Sequence, residues 1–186
     1  MKLTWKKFNL IESLKKFFGF TAPFYQEVTL AGQRFIFREI ALSDIRGLLA
    51  LEKEVYAGEL PWSKTAFVVE LKNLAPHRYV LLERGGEIVG FVGARLHAED
   101  CHVTNIAVHP HFQGQGIGSF MLRDIFQYAK ENKSQQITLE VRISNLDAQR
   151  LYRRFGFVSC NIKKNYYTEN NEDAVDMIVK MEDLSW

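Results

Sequence analysis

Between Cys101 and Arg142 the chain reads strand, glycine-rich turn, amphipathic helix, strand, and this order restricts the fold more than any other feature. Cys101–Val108 is the first strand and ends at Pro110. A helix from about Gly116 to Glu131 turns Gly118, Met121, Leu122, Ile125, Phe126 and Ala129 inward at helical spacing. Ile137–Arg142 alternates, with Ile137, Leu139 and Val141 on one face and Thr138, Glu140 and Arg142 on the other. A second helix, Asn145 to Phe155, is stopped by Gly156. Phe157–Lys164 and Ala174–Met181 read as the last strands, joined by a polar loop that holds Tyr166 and Tyr167.

Upstream, Arg34–Ile40 predicts a strand, and Ser43-Asp44 caps a helix running to about Tyr56. Gly58 and Pro61 break it, and Ser63 caps a shorter helix that ends near Asn73. Tyr79–Glu83 and Ile88–Leu96 form a hairpin across Gly85-Gly86, and Ala98-Glu99-Asp100 turns into Cys101. The order is β-α-α-β-β-β-α-β-α-β-β. A meander followed by strand–helix–strand units gives a mixed sheet of about seven strands with helices on both faces, an α+β class at the α/β border. The domain spans 34–186, preceded by an arm, 1–33, that Ala22-Pro23 closes.

With 186 residues, 47% of them hydrophobic, the chain can bury one full core unaided. Its two cysteines are too few for a disulfide scaffold or a cysteine-only zinc cage. The net charge is +2, but residues 1–20 carry +4 and the remainder −2, so the core domain has no nucleic-acid-binding balance. In the arm Trp5, Phe8, Ile11, Leu14 and Phe18 recur at helical spacing between lysines. A helix docked on its own domain or on a partner, and an anchor for membrane or RNA, both fit that pattern. No apolar run approaches the roughly 18 residues of a membrane span, and the start lacks the apolar stretch of a signal peptide. The expected location is the cytoplasm.

The ligand-like segment is Gln113-Gly114-Gln115-Gly116-Ile117-Gly118-Ser119. Glycines ahead of a helix let backbone N–H groups converge at its positive end, where a diphosphate is the natural guest. A P-loop needs lysine before its serine, and here Gly118 precedes Ser119. A dinucleotide fingerprint starts directly after the strand, whereas His109-Pro110-His111-Phe112 intervenes here.

What remains, Gln113-x-x-Gly116-x-Gly118 after Asn105-Ile106-Ala107-Val108, resembles the coenzyme A loop of the GNAT N-acetyltransferases. Glu140-Val-Arg-Ile-Ser-Asn145, Leu151-Tyr152, Phe155-Gly156-Phe157, Pro61-Trp62-Ser63, Asn165-Tyr166-Tyr167 and Glu172-Asp173-Ala174 narrow this further. Together they are similar to the RimI-type ribosomal-protein-alanine N-acetyltransferases over residues 34–181. The resemblance implies acetyl-CoA as co-substrate, and as acceptor a protein N-terminus, an alanine of a small-subunit ribosomal protein. It implies that Ile106, Ala107 and Val108 offer backbone groups to the pantetheine, and that Gln113, Gly114, Gln115, Gly116, Ile117, Gly118 and Ser119 hold the pyrophosphate. Asn145 binds the coenzyme nearby, Glu140 is the general base and Tyr152 the general acid. Nothing carries over to the arm.

The residues allow other readings. Glu140 also fits an outward strand acid paired with Arg142, and Tyr152 a core tyrosine bonded to a carbonyl. Trp62, Tyr166 and Tyr167 are candidate walls of a peptide groove. His97, Cys101, His102, His109 and His111 cluster without any zinc spacing, so no metal is expected. Passing a proton from an α-ammonium to an ordinary Glu costs about 5 kcal/mol, against about 8 from a Lys ammonium. Direct transfer is expected, since no activated nucleophile is visible. A GNAT enzyme for Lys or small amines, and a non-catalytic acyl-CoA-binding scaffold, are the alternatives.

Overall fold

The computed structural model describes residues 24–183 apart from residues 57 and 59. One sheet contains β1 (Tyr25–Leu30), β2 (Gln33–Glu39), β3 (His77–Arg84), β4 (Glu87–His97), β5 (Asp100–Val108), β6 (Gln136–Arg142), β7 (Val158–Tyr167) and β8 (Glu172–Lys180). Its strand order is β1-β2-β3-β4-β5-β6-β8-β7. The helices are α1 (Ile45–Val55), α2 (Lys64–Leu71), α3 (Ile117–Glu131) and α4 (Leu146–Arg154). Ser63 accepts from Ala66 N at 3.1 Å and so opens α2 as its cap. Asp44 closes the turn ahead of α1 by accepting from Ala41 N at 2.7 Å while it holds Arg38.

Two cores cover the two faces. Ile117, Met121, Leu122 and Ile125 of α3 and Tyr152 of α4 pack on Cys101, Val103, Ile137, Leu139 and Met177. Ile45, Leu48 and Leu51 of α1 and Phe67 of α2 pack on Leu81, Phe91 and Ala107. Helices on both faces of a mixed sheet match the expected class. Tyr25–Leu30, assigned from sequence to the arm, is instead a strand paired along its length with β2. The sheet therefore has eight strands rather than seven, and the domain begins before residue 34. The hairpin turn uses Ala31 and Gly32, both at positive φ, and an Ala in that position carries almost no turn signal. The arm's apolar stripe lies outside the described residues. Tyr166 and Tyr167 also move, from the expected loop to the end of β7. Among the described residues no helix is long and apolar enough to cross a membrane.

The feature that makes the site lies at Thr104. Val103 pairs with Ala94 and Asn105 with Gly93, which leaves Thr104 as an extra residue in β5. Before it Cys101 and Val103 face α3; after it Asn105 and Ala107 face α1. The parallel pairing of β5 with β6 ends at Val103 and Leu139, so the two strands part beyond that point. Tyr79 holds the bulge: its hydroxyl lies 2.7 Å from Thr104 Oγ1 and donates to Glu70 at 3.1 Å.

The Tyr79 ring reaches Thr104 only because it lies across Gly93, where a Cβ would stand 2.1 Å from the ring. Gly93→Ala should therefore cost about 1–3 kcal/mol through overpacking, several degrees in Tm for a domain of this size. Calorimetry checks it, and an unchanged Tm would mean that the ring is not what fixes the bulge.

Candidate active site

Where β5 and β6 part, a cavity of about 350 Å³ opens between their ends. Thr104, Asn105 and Ile106 line it from β5, and Glu140 and Arg142 from β6. Asn145 and Tyr152 reach it from the α4 side, Tyr56, Pro61 and Trp62 from the α1–α2 connection, and Tyr166, Tyr167 and Glu169 from the last hairpin. Residues far apart in the chain thus meet at one break in the sheet. The expected Glu140, Tyr152, Asn145, Ile106, Trp62, Tyr166 and Tyr167 are all on its wall.

Glu140 is held tightly. Its Oε1 accepts from Lys163 Nζ at 2.5 Å, and its Oε2 lies 3.2 Å from His102 Nε2. Burial alone would raise its pKa, but the His102 and Lys163 contacts outweigh that and hold it at about 2. The partner foreseen from sequence, Arg142, is engaged elsewhere: it donates to Glu172 at 3.0 Å and its guanidinium lies 4.1 Å from the Tyr167 ring centre. Strand spacing put Arg142 on the same face, whereas Lys163 arrives from β7 by a pairing that no local pattern announces.

Tyr152 is buried on α4, and among the described residues its hydroxyl has no hydrogen-bond partner. Burial pushes the phenol above its ordinary value, with Tyr56 and Tyr167 adding to the shift. The alternative of a core tyrosine tied to a carbonyl does not hold. Asn145 caps α4 by accepting from Ala148 N at 3.1 Å, which leaves its NH₂ for the cavity. Glu172 accepts from Ser144 N at 3.0 Å and so secures the turn that carries Asn145.

The loop 113–119, like Ala107 and Val108, does not line the cavity; in it Gly114 and Gly116 adopt positive φ, 73° and 86°, with nothing within 4 Å of where a Cβ would be. The first hydrogen bond into α3 is Phe120 N to Gly116 O, so the N–H groups just before Phe120 have no partner within the helix. These features suit a pyrophosphate. The other loop residues have structural work. Gln113 donates to Val108 O at 3.0 Å, Gln115 donates to His111 O at 2.9 Å, and Gly118 packs against Leu151, 3.1 Å from its would-be Cβ. Ala107 is core beneath α1, which leaves only its backbone for a ligand.

Sequence reasoning missed Glu52. It is fully buried behind the cavity wall, accepting from Asn105 Nδ2 at 2.7 Å and from Trp62 N at 3.3 Å. Burial raises its pKa to about 7 against those two bonds. The signal was available: Glu52 continues the inward stripe of Ile45 and Leu48, where a carboxylate needs a partner. Cys101 is no nucleophile, since burial pushes its thiol up to about 12. Among the described residues no group of three or more His, Cys, Asp or Glu side chains could hold a metal ion.

Comparison with known proteins agrees with this architecture. The Acetyltransferase (GNAT) family matches residues 44–157. The chain belongs to that family. A putative [ribosomal protein bS18]-alanine N-acetyltransferase of Bacillus subtilis (strain 168) is 37% identical over 142 residues, covering 76% of this chain and 93% of the relative. N-alpha-acetyltransferase RimI of Mycobacterium tuberculosis is 34% identical over 140 residues, 73% of this chain and 85% of its own. The crystal structure of the ribosomal-protein-S18-alanine N-acetyltransferase from Escherichia coli superposes with TM-score 0.70 at 26% identity, covering 82% of this chain and 99% of that one. This protein is an acetyl-CoA-dependent N-acetyltransferase.

The Glu140 ion pairs also stabilise the fold. Its carboxyl has a lower pKa folded than unfolded, so the contribution is complete above about pH 4.5 and is lost as pH falls towards about 2. Glu140→Gln should lower unfolding free energy at neutral pH by about 1–3 kcal/mol. Urea titrations at neutral and acid pH check the sign, because the deficit must shrink as the solution is acidified.

Proposed function

We propose that the chain transfers acetyl from acetyl-CoA directly to the N-terminal α-amine of a protein, with Glu140 facing the amine and Tyr152 facing the leaving sulfur. The observation that carries this reading is their convergence on one cavity at the break in the sheet, whose α4 wall packs through Leu151 on Gly118 in the first turn of α3. The names of the relatives support an N-terminal alanine of a small-subunit ribosomal protein as the target, which makes the cytoplasm the place of action.

The co-substrate supplies the acetyl thioester. Around it, the N–H groups at the start of α3 neutralise the pyrophosphate, Gly114 and Gly116 keep the approach clear, and the β5 edge after Thr104 offers backbone groups no longer used by β6. Asn145 orients the pantetheine. Trp62, Tyr166 and Tyr167 wall the side where the acceptor chain enters. Tyr152, whose hydroxyl has no other partner among the described residues, donates to the departing sulfur.

Glu140 sets which amine suits the site. Drawing a proton from an α-ammonium onto a carboxylate held below the ordinary Glu range costs more than the roughly 5 kcal/mol of an unperturbed pair. The site depends on amine that is already free or on a relay. At neutral pH roughly a tenth to a third of α-amines are free, and well under a hundredth of Lys amines. A chain terminus therefore fits where a lysine does not.

Three measurements test this. Glu140→Gln and Tyr152→Phe should each lower kcat by about 10²–10⁴-fold with acetyl-CoA affinity kept, and wild-type kcat in either removes that residue from the chemistry. Ser119→Glu adds a carboxylate where a helix start tolerates one, so the fold should hold while acetyl-CoA affinity by calorimetry falls about tenfold or more. Mass spectrometry of peptides with a free N-terminal Ala and an internal Lys should show the terminus acetylated first; preference for the Lys would transfer the reading to side-chain amines.

A further inference from the structure

Glu52 is the one fully buried carboxylate among the described residues, and the chemistry above makes no use of it. Taking such a group out of water is costly, so what it holds matters. It joins two walls of the cavity, accepting from Asn105 Nδ2 on β5 at 2.7 Å and from Trp62 N in the α1–α2 connection at 3.3 Å. Both partners line the cavity, and Glu52 itself does not. The bulge at Thr104 sets Asn105 on the α1 side of the sheet. Glu140 lies on that side too, because Leu139 and Val141 beside it are core beneath α3. Thr104, also on the wall, has its hydroxyl tied to Tyr79. A carboxylate has no hydrogen to give, so Asn105 must turn its NH₂ toward Glu52. The amide oxygen is thereby left on the cavity side, and among the described residues it has no hydrogen-bond partner.

We propose that Asn105 Oδ1 accepts an N–H of the acceptor's α-amine, and that Glu52 is the positioning residue that keeps this oxygen facing the cavity. The proposal rests on the reading that an α-amine enters here. An uncharged amine has two N–H bonds and one lone pair, and attack requires the lone pair to be free and correctly aimed. A nitrogen that gives one N–H to Asn105 on β5 and the other to Glu140 on β6 spans the break in the sheet and keeps its lone pair for the thioester. Glu52 touches no substrate and acts only through its two partners. Because Trp62 N shares the same carboxylate, the oxygen that meets the amine and the ring that walls the acceptor's entrance are fixed by one group. That buried link accounts for a carboxylate where the inward stripe of α1 would otherwise place an apolar side chain.

The test uses steady-state kinetics with a peptide of free N-terminal Ala at about pH 8.5, where most α-amine is uncharged. Glu52→Gln conserves volume and can still satisfy every group. Its carbonyl oxygen accepts from Trp62 N and its NH₂ donates to Asn105 Oδ1, provided that the Asn105 amide turns over. The cavity then meets the amine with a donor instead of an acceptor. For the peptide, kcat/KM should fall about tenfold or more, while KM for acetyl-CoA and Tm stay near wild type. Adding Asn105→Asp to Glu52→Gln reverses the buried bond and returns an oxygen to the cavity, so most of kcat/KM should recover. Wild-type kcat/KM in folded Glu52→Gln overturns the proposal. If Glu52→Gln loses Tm, the double variant decides: restored Tm without restored kcat/KM marks a purely structural contact and also overturns it. Glu140→Gln and the wild type separate these levels. If Glu140→Gln is impaired while Glu52→Gln runs at the wild-type rate, the role of Asn105 fails and that of Glu140 stands. If the wild type acetylates an internal Lys in preference to the terminus, the α-amine reading fails and the role of Asn105 with it.

Discussion

One extra residue in β5 governs the site. With Thr104 inserted, the strand can no longer stay in parallel register with β6, and the sheet opens at the point where Glu140 and Tyr152 come within reach of one opening. A break in a sheet exposes backbone N–H and C=O groups that would be costly to leave unpaired in a dry interior. In this fold the exposed edge lies on a solvent-accessible cavity where a ligand's amides can take the place of a strand. The bulge also reverses which side chains face which helix layer. That is how Asn105 comes to meet Glu52 on α1 while Val103, two residues earlier, is core beneath α3.

Two carboxylates near the cavity are driven in opposite directions by their surroundings. Glu52 has no cation beside it, only two N–H donors, so burial prevails and its pKa rises to about 7. Glu140 is flanked by an ammonium and an imidazole, and their pull prevails over burial, so it falls to about 2. Neither behaves as an isolated Glu. The buried one fixes the Trp62 turn and the Asn105 amide; the paired one presents fixed negative charge to the cavity with little proton affinity of its own.

Much of this was legible in the residues. The glycines at 114 and 116, the cap at Asn145, the alternation of Ile137–Arg142 and the inward stripe of α3 are local signals, and the structure keeps each in place. What escaped depends on contacts between distant segments. Lys163 meets Glu140 only because β7 folds back along β8, and the displacement of Tyr166 and Tyr167 into a strand follows from the same pairing. The first strand was hidden by an Ala-Gly turn, and the Thr104 bulge by a strand whose alternation runs unbroken through it. A period-2 pattern reports burial and is silent about which face each buried residue occupies.

The paired charges also bear on the form in which an amine arrives. Lys163 is shared between Glu140 and Asp176, and Arg142 between Glu172 and Glu169. An ammonium entering this cavity leaves water, and burial of a cation favours loss of its proton. The walls of Trp62 and Tyr152 add to that effect by excluding water from the same space. An α-amine, already near its titration point at neutral pH, needs only a small push to enter uncharged. A lysine would need one larger by more than two pKa units. The exclusion of water from the cavity and the proton affinity of the acceptor thus select the same end of the polypeptide.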